Sequence, residues 1–192
     1  MIKDTRKIIQ ALTYLASKED DKVMDNMKAF KLLWLADRYH LRQTGMTITG
    51  DAYYAMPYGI VPSDAKCVLE GAKTKLRNPK GYKDSYIASK DGHQYMVLAD
   101  ADLKMFSESD IEALDKVYET YGTLTAKELS GLSHKFPEWT FYQDLLADKE
   151  QKNSYRIDLD HFFEDGPETE FFNESREMLD LTQELYHQYN RV

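Results

Sequence analysis

The strongest helical pattern of apolar residues lies between residues 26 and 45. At 100° per residue, its apolar side chains cover an arc of roughly 200°. The arc contains Leu32, Ala36, Ala29, His40, Leu33, Asp37, Phe30, Leu41 and Trp34, and the narrow remainder contains Lys28, Lys31, Arg38 and Arg42. A helix that is apolar over so much of its circumference is touched on several sides. The pattern therefore predicts a central helix, which Asp25 caps and which ends near Gly45.

Two polar residues, Asp37 and His40, fall inside this apolar arc. An ionised carboxylate there has a large desolvation cost unless it is paired, so Asp37 needs a donor: a cation, a tyrosine hydroxyl or backbone amides. His40 lies about one turn further on and is close enough to take part. We interpret the two as structural polar groups that satisfy each other or the nearby backbone.

Six further helices are predicted from apolar spacing and from local start signals. Thr125 and Glu128 form a capping box, and Pro137 suits the first turn of a helix because that position needs no N–H donor. The predicted helices span about residues 4–18, 63–75, 107–121, 125–134, 137–146 and 170–189. In the last one, helical spacing assigns one face to Phe171, Ser175, Met178, Thr182, Leu185 and Tyr189.

Extended structure is predicted in two places. Asp91 and Gly92 separate apolar runs at 86–89 and 94–98, and Asp-Gly between such runs is a strong hairpin signal. Residues 53–56 form a third extended segment, so one small antiparallel sheet is expected. The predicted fold class is α+β and mainly helical: a compact helical domain with a small antiparallel β-sheet or hairpin.

Composition narrows the class of protein. The chain has 192 residues, enough for one domain with a proper core, and 42% of them are hydrophobic. No uninterrupted apolar run is longer than that from Leu32 to Ala36, so no membrane span is predicted, and the N-terminus lacks the apolar region of a secretory signal. The one cysteine, Cys67, lies in a predicted amphipathic helix as inert packing and fits a reducing compartment. We expect a cytoplasmic protein.

Charge is distributed unevenly along the chain. Residues 66–90 hold seven bases and two acids, whereas residues 144–192 hold thirteen acids and five bases. An acidic face is a natural docking surface for a basic partner, although a charge run also serves simply to solvate an exposed helix. Because the rest of the chain repels phosphate, nucleic acid is not the expected partner of the basic segment.

Four segments and one glycine form a recognisable pattern: residues 31–40, Gly45, 48–51, 53–62 and 132–139. Together they resemble the SocA-like antitoxin family, also called the Panacea domain and known in prophages as GepA-like proteins. The resemblance covers roughly residues 5–145. Family members often have a second Gly-Pro dipeptide where this chain has the sequence from Gly59 to Pro62. The motif positions are Trp34, Asp37, His40, Gly50, Gly59, Pro62, His134, Pro137 and Trp139.

The resemblance implies one domain over residues 1–146. Residues 147–192 would then form an acidic C-terminal extension whose terminal helix packs on the same domain. As a function, the resemblance implies a bacterial or prophage antitoxin that neutralises a cognate protein toxin by direct binding. A proteolytic adaptor that delivers the toxin to a Clp-type protease is the alternative within the family.

We expect the toxin to bind the aromatic segment that follows the central helix. Alternate side chains of a strand point to opposite faces, so with Tyr54 toward the core, Tyr53 and Ala55 point outward. Exposed Tyr and Met are common interface anchors. The predicted partner-binding residues are Tyr53, Tyr54, Met56 and Tyr58, with the acidic C-terminal helix as a second contact.

Two other classes of function stay open at this point. A metal-dependent hydrolase could combine Asp37, His40, His134 and Glu138 as ligands. A DNA-binding autoregulator would use Lys73, Lys75, Arg77 and Lys80. No phosphate-binding glycine loop, nucleophile elbow or His-Glu-x-x-His motif is present in the sequence. We therefore expect no catalytic residue, no metal and no cofactor.

Overall fold

The computed structural model describes residues 5–71, 81–148 and 150–190 of the chain. Within these ranges the helices are α1 Arg6–Ala16, α2 Asn26–Thr44, α3 Ser63–Glu70, α4 Tyr82–Tyr86, α5 Glu108–Tyr121, α6 Ala126–Ser133, α7 Pro137–Thr140, α8 Gln143–Ala147 and α9 Arg176–Asn190. The strands are β1 Val23–Asp25, β2 Tyr53–Met56, β3 Gly59–Pro62, β4 Ile87–Ser89, β5 Gln94–Val97 and β6 Tyr155–Arg156. The fold is α+β and mainly helical, as predicted. Among the described helices, none has the length and apolar character needed to cross a membrane.

Helix α2 lies at the centre of the fold, which confirms the prediction from its wide apolar arc. The Asp25 side chain accepts a hydrogen bond from the backbone N–H of Lys28 at 3.1 Å, and Gly45 ends the helix in the left-handed region with φ 76°. The helix packs against α1, α3, α5, α6 and α9. Because helices enclose it, the basic residues of its polar remainder are also buried: Lys31, Arg38 and Arg42.

The strands form two small antiparallel sheets rather than the single sheet expected. One has the order β1-β5-β4 and contains the predicted Asp-Gly hairpin. The other has the order β3-β2-β6, with Tyr54 opposite Val61 in β3 and opposite Arg156 in β6. Only Pro57 and Tyr58 separate β2 from β3, so the chain folds back on itself there and β2 pairs locally.

Local start signals placed most helices correctly. Ser107 caps α5 in a capping box with Asp110, the capping box of Thr125 and Glu128 begins α6, and Pro137 occupies the first turn of α7. The helix predicted over 137–146 is instead two short helices, α7 and α8. Helix α3 ends at Glu70, and the basic residues Lys73, Lys75, Arg77 and Lys80 lie outside the described residues.

The terminal helix begins later than predicted and turns a different face inward. It starts at Arg176 rather than at about residue 170, and its buried residues are Leu179 and Thr182. Met178 and Tyr189, which were assigned to the same face as Thr182, are exposed. The spacing of apolar residues predicts the helix correctly but does not determine which of its apolar faces packs against α2.

The chain beyond residue 147 contributes to the same hydrophobic core. Phe162, Phe163, Phe172 and Leu179 are buried, and the ring centres of Phe162 and Tyr53 are 5.5 Å apart. Helix α9 packs against α2, and the Thr182 hydroxyl donates to the backbone carbonyl of Arg42 at 3.0 Å. The terminal segment thus completes the enclosure of the central helix.

Candidate functional site

Asp37 organises the turn that leads from α2 to β2. Its carboxylate accepts hydrogen bonds from the backbone N–H groups of Ile48 at 2.7 Å and Thr49 at 3.1 Å, and from the Thr49 hydroxyl. The Tyr53 hydroxyl also donates to it, at 2.6 Å. The predicted donors, a tyrosine hydroxyl and backbone amides, are confirmed. Burial raises the pKa of Asp37 above its ordinary value, while these four hydrogen bonds oppose the shift.

His40 does not pair with Asp37 but joins α2 to the start of α5. Its Nδ1 lies 2.7 Å from the backbone carbonyl oxygen of Met46, so Nδ1 carries the proton and donates. Its Nε2 lies 3.0 Å from the Ser109 hydroxyl and 3.5 Å from a carboxylate oxygen of Asp110. Of the two arrangements expected, Asp37 and His40 each bind nearby backbone groups and do not bind each other.

Glu138 connects two stretches of the sequence that are about 100 residues apart. Its Oε1 accepts from the Trp34 indole N–H at 2.9 Å and from Arg38 Nε at 3.0 Å, and all three side chains are buried. The Arg38 guanidinium also lies near two aromatic rings, 4.8 Å from the centre of Phe136 and 4.5 Å from that of Phe172. Sequence reasoning did not find the acid that joins Trp34 and Arg38, because nothing local indicates such a distant partner.

Asp51 caps α3 from the preceding loop. It accepts from the backbone N–H groups of Asp64 and Ala65, both at 2.8 Å, and Gly50 before it has φ 65°. Burial raises the pKa of Asp51 to about 7, although these backbone donors oppose the shift. A cap that comes from 13 residues upstream has no sequence signature, so the sequence does not indicate this role of Asp51.

The metal site considered for Asp37, His40, His134 and Glu138 is not assembled. Asp37 and Glu138 hold the partners described above, and His134 stacks on Trp139 with ring centres 4.1 Å apart. Among the residues that the structure describes, no three His, Cys, Asp or Glu side chains are grouped to hold a metal ion. In this structure, these side chains make contacts within the protein interior.

The turn between β2 and β3, called here the hairpin tip (residues 56–60), is fixed by side chains from other elements. The Trp139 indole N–H donates to the carbonyl of Met56 at 2.9 Å. The Ser130 hydroxyl donates to the carbonyl of Tyr58 at 2.7 Å. Burial lowers the pKa of His134, and a backbone hydrogen bond at Pro57 opposes this shift. Side chains from α6 and α7 thus bind the backbone of the hairpin tip.

The inner end of the hairpin tip is equally constrained. Lys31 Nζ donates to the carbonyl of Ile60 at 2.6 Å. Gly59 has φ 96°, and a side chain there would meet the Ser133 hydroxyl and lie 2.8 Å from Lys31 Nζ. Glycine is therefore required at this position both by the backbone conformation and by the close approach of α6. Pro62 ends β3 opposite Tyr53 and immediately precedes α3.

Burial alternates along β2 in the opposite sense to the one expected. Tyr53 and Ala55 are buried, whereas Tyr54 and Met56 are half-buried on the outer face. Tyr53, proposed from the sequence as a partner contact, is instead directed inward, and its hydroxyl donates to Asp37. Tyr58 lies in the hairpin tip with 73% of its surface exposed.

The neighbouring helix adds a second exposed ring. Trp139 is half-buried against the hairpin tip, and Phe136 is the fully buried ring of this segment. Phe141, two residues after Trp139, is 65% exposed. Tyr58 and Phe141 are thus large apolar side chains presented to solvent from segments that the interior holds in place.

A cleft of about 700 Å³ opens on another part of the surface. It lies between the loop of residues 45–53, the strand β6 with the residues after it, and the C-terminal end of α9. Its charged lining residues are Asp51, Arg156 and Asp158. Met46, Tyr186 and Tyr189 supply apolar and aromatic surface.

The family model described as antitoxin SocA-like, Panacea domain, matches residues 30–140, which is more than half of the chain. Neither a curated protein nor a solved structure matches the chain significantly. The matched range runs from α2 through α7, and so includes the Asp37 and Glu138 networks and the hairpin tip. The chain belongs to the SocA-like antitoxin family, which is defined by the Panacea domain.

Proposed function

We propose that this protein is an antitoxin that neutralises a cognate protein toxin by direct binding, with the hairpin tip as a principal contact. The observation that carries the proposal is the rigid presentation of Tyr58. Its ring is exposed, while side chains from α2, α6 and α7 bind the backbone around it. Large aromatic side chains held in one place are typical binding hot spots, because little conformational freedom is lost when they bind.

The way in which the family motif is used supports a binding protein over an enzyme. The titratable side chains of the motif segments that could act as catalytic acids or bases already have hydrogen-bond partners in the interior. Asp37 binds the turn of residues 48–53, His40 contacts α5, and Glu138 binds Trp34 and Arg38. A catalytic acid or base has to reach a substrate atom within hydrogen-bond distance. These groups instead hold the elements that carry the hairpin tip.

The test is co-expression with the product of the reading frame that adjoins this gene. We expect the wild-type chain to restore growth to cells that express a toxic neighbour. Tyr58→Ala should weaken the complex by about tenfold or more, since hot-spot aromatics contribute at least this much. The variant should still fold, because Ser130 binds the Tyr58 carbonyl rather than its side chain.

Leu98→Ala is the matched control, because Leu98 is also a large exposed apolar residue, at 53%, but lies beyond β5. Affinity is measured by titration calorimetry and folding by circular dichroism. If Tyr58→Ala keeps wild-type affinity and growth rescue, the hairpin tip is not the contact. If the wild-type chain neither binds nor rescues, the antitoxin assignment itself fails.

Direct blocking and delivery to a Clp-type protease predict different lifetimes for the toxin. A blocker leaves the half-life of the toxin unchanged or lengthens it, since complex formation protects the folded state. An adaptor shortens the half-life in a protease-dependent way. A pulse-chase measurement of the toxin, with and without this chain, therefore distinguishes the two, and we expect no shortening.

A further inference from the structure

Helix α9 presents a second apolar surface that nothing in the described structure covers. Its outer flank carries Met178, Leu181, Leu185 and Tyr189, which fall within an arc of roughly 80° at 100° per residue. Met178 is 42% exposed, and Leu181 and Tyr189 are both 55% exposed. The buried residues of the helix are Leu179 and Thr182. The four outer residues are called here the α9 stripe; Leu185 also touches the end of α2, whereas Met178, Leu181 and Tyr189 are exposed and available to a partner.

The α9 stripe continues into the cleft beside it. Tyr189 both ends the stripe and lines the cleft, which the exposed Met46 also lines. Leu185 lies against the turn that ends α2, where a side chain on Gly45 would come within 2.9 Å of its Cβ. The stripe thus continues into a cleft whose lining is partly apolar and also includes Asp51, Arg156 and Asp158. The two form an elongated surface of the kind that an amphipathic helix occupies in a partner's groove.

Acidic residues border the α9 stripe along its length. Glu177, Asp180 and Glu184 follow one side of the helix, and between residues 158 and 190 the chain has ten acidic side chains and one basic one. Arg176 pairs with Asp180 at 2.9 Å and neutralises only part of this charge. We expect this surface to bind a basic segment, because the acidic residues attract Lys and Arg side chains and repel an acidic segment.

A second copy of the chain is a poor match for the same surface. Two α9 stripes packed face to face and antiparallel would bring Glu177, Asp180 and Glu184 of each copy near those of the other. Like charges opposed across an interface weaken it. The surface therefore suits a different protein with Lys or Arg beside an apolar helical face.

We propose that the α9 stripe docks an amphipathic, basic helical segment of the toxin. Its apolar residues would cover Met178, Leu181 and Tyr189, and its Lys or Arg side chains would meet Glu177 and Glu184. The assignment of the partner as the toxin rests on the proposed antitoxin function; the chemistry of the segment rests on the stripe and its acidic border. This contact is separate from the one at the hairpin tip.

The first test uses a synthetic 18-residue helical peptide of Leu and Lys, with a Leu and Glu peptide of the same apolar pattern as the reference. Fluorescence anisotropy with the full-length chain should show saturable, salt-sensitive binding of the Leu and Lys peptide only. Leu181→Asp and the double variant Glu177→Lys with Glu184→Lys should each weaken binding by about tenfold or more.

Glu119→Lys is the matched control, because Glu119 is an exposed acid on α5. The proposal requires this variant to bind the peptide like the wild type. Equal binding by the Leu181→Asp variant, binding of both peptides alike, or no binding at all would overturn it. A wild-type dimer in sedimentation velocity that Leu181→Asp dissociates would show a second copy on the stripe and would also overturn it.

Toxin co-expression then separates this proposal from the proposed function. If the wild-type chain rescues growth and the Leu181→Asp variant rescues equally, with unchanged affinity for the toxin, the docking proposal fails and the antitoxin function stands. If the wild-type chain fails to rescue while the peptide results hold, the surface is as described and its partner is not that toxin.

Discussion

Lys31 is a buried ammonium group held by one carbonyl oxygen. Its Nζ donates to Ile60 at 2.6 Å, and no acidic side chain within the described ranges forms an ion pair with it. Burial lowers the pKa of Lys31 from 10.5 to about 7. The helical pattern placed Lys31 on the polar side of α2, but the pattern of one helix does not reveal how many neighbours enclose it.

Replacement of Lys31 by Met should change how stability depends on pH. In the wild type the folded state loses this proton near pH 7, whereas the unfolded state keeps it until about pH 10.5. Between these values the unfolded state binds more protons, so stability rises with pH. Relative to Lys31→Met, the wild-type free energy of unfolding should increase by about 1.4 kcal/mol per pH unit over this window.

Urea unfolding of both proteins at several values from pH 6 to pH 10 checks this expectation. The difference between wild type and variant isolates Lys31, since other titrating groups are common to both. Below pH 7 the difference should be constant, because both states of the wild type then carry the proton. A difference that stays constant up to pH 10 would show that Lys31 titrates normally in the folded protein.

At the level of elements, the close packing between the end of α2 and the middle of α9 depends on one glycine, Gly45. Gly45 has φ 76°, and a Cβ there would lie 2.7 Å from the backbone carbonyl oxygen of Thr182 and 2.9 Å from Leu185 Cβ. The Thr182 carbonyl cannot move away from an added Cβ unless the backbone of α9 also shifts. Gly45→Ala should therefore lower the free energy of unfolding by about 3 kcal/mol or more, through strain and overpacking together.

Gly50→Ala is the comparison that separates the two causes. Gly50 has φ 65°, a similar backbone conformation, but nothing lies within 4 Å of where its Cβ would be. Its substitution should cost only about 1 to 2 kcal/mol, the strain of a left-handed residue. If denaturant unfolding shows equal losses of unfolding free energy for the two variants, then α9 makes no close steric contact with the end of α2.

The elements that sequence predicted correctly are those whose signals are local. Asp25, Ser107 and Thr125 each bind a backbone N–H three residues ahead, so the cap and the helix appear together in the sequence. The direction in which Tyr53 points is set by Asp37, 16 residues away, and could not be read from alternation alone. The same applies to Glu138, whose partners lie on α2.

For the whole molecule, the fold extends beyond the segment that identifies the family. The family match ends at residue 140, yet Arg42 on the central helix is paired with Glu174 at 2.8 Å and donates to the carbonyls of Phe162 and Glu164. Packing of the terminal helix on this domain was expected, but the partners of Arg42 could not be predicted, because nothing in the sequence after residue 147 resembles the family. The candidate site was predicted only in part, because Tyr58 is exposed and Tyr53 is not.

A chain truncated after Asp148 should therefore fail to fold, although it contains the whole family match. Truncation removes Phe162, Phe163 and Phe172 from the core and leaves Arg42 without its partners. Loss of one buried Phe alone costs about 3–5 kcal/mol, and the whole domain has only about 5–15 kcal/mol of stability to lose. The expected result is weak near-ultraviolet circular dichroism and no cooperative thermal transition. Addition of a peptide of residues 149–192 should restore the transition, since it returns the same contacts. A truncated chain that unfolds cooperatively without the peptide would show that residues 1–148 form a self-sufficient domain.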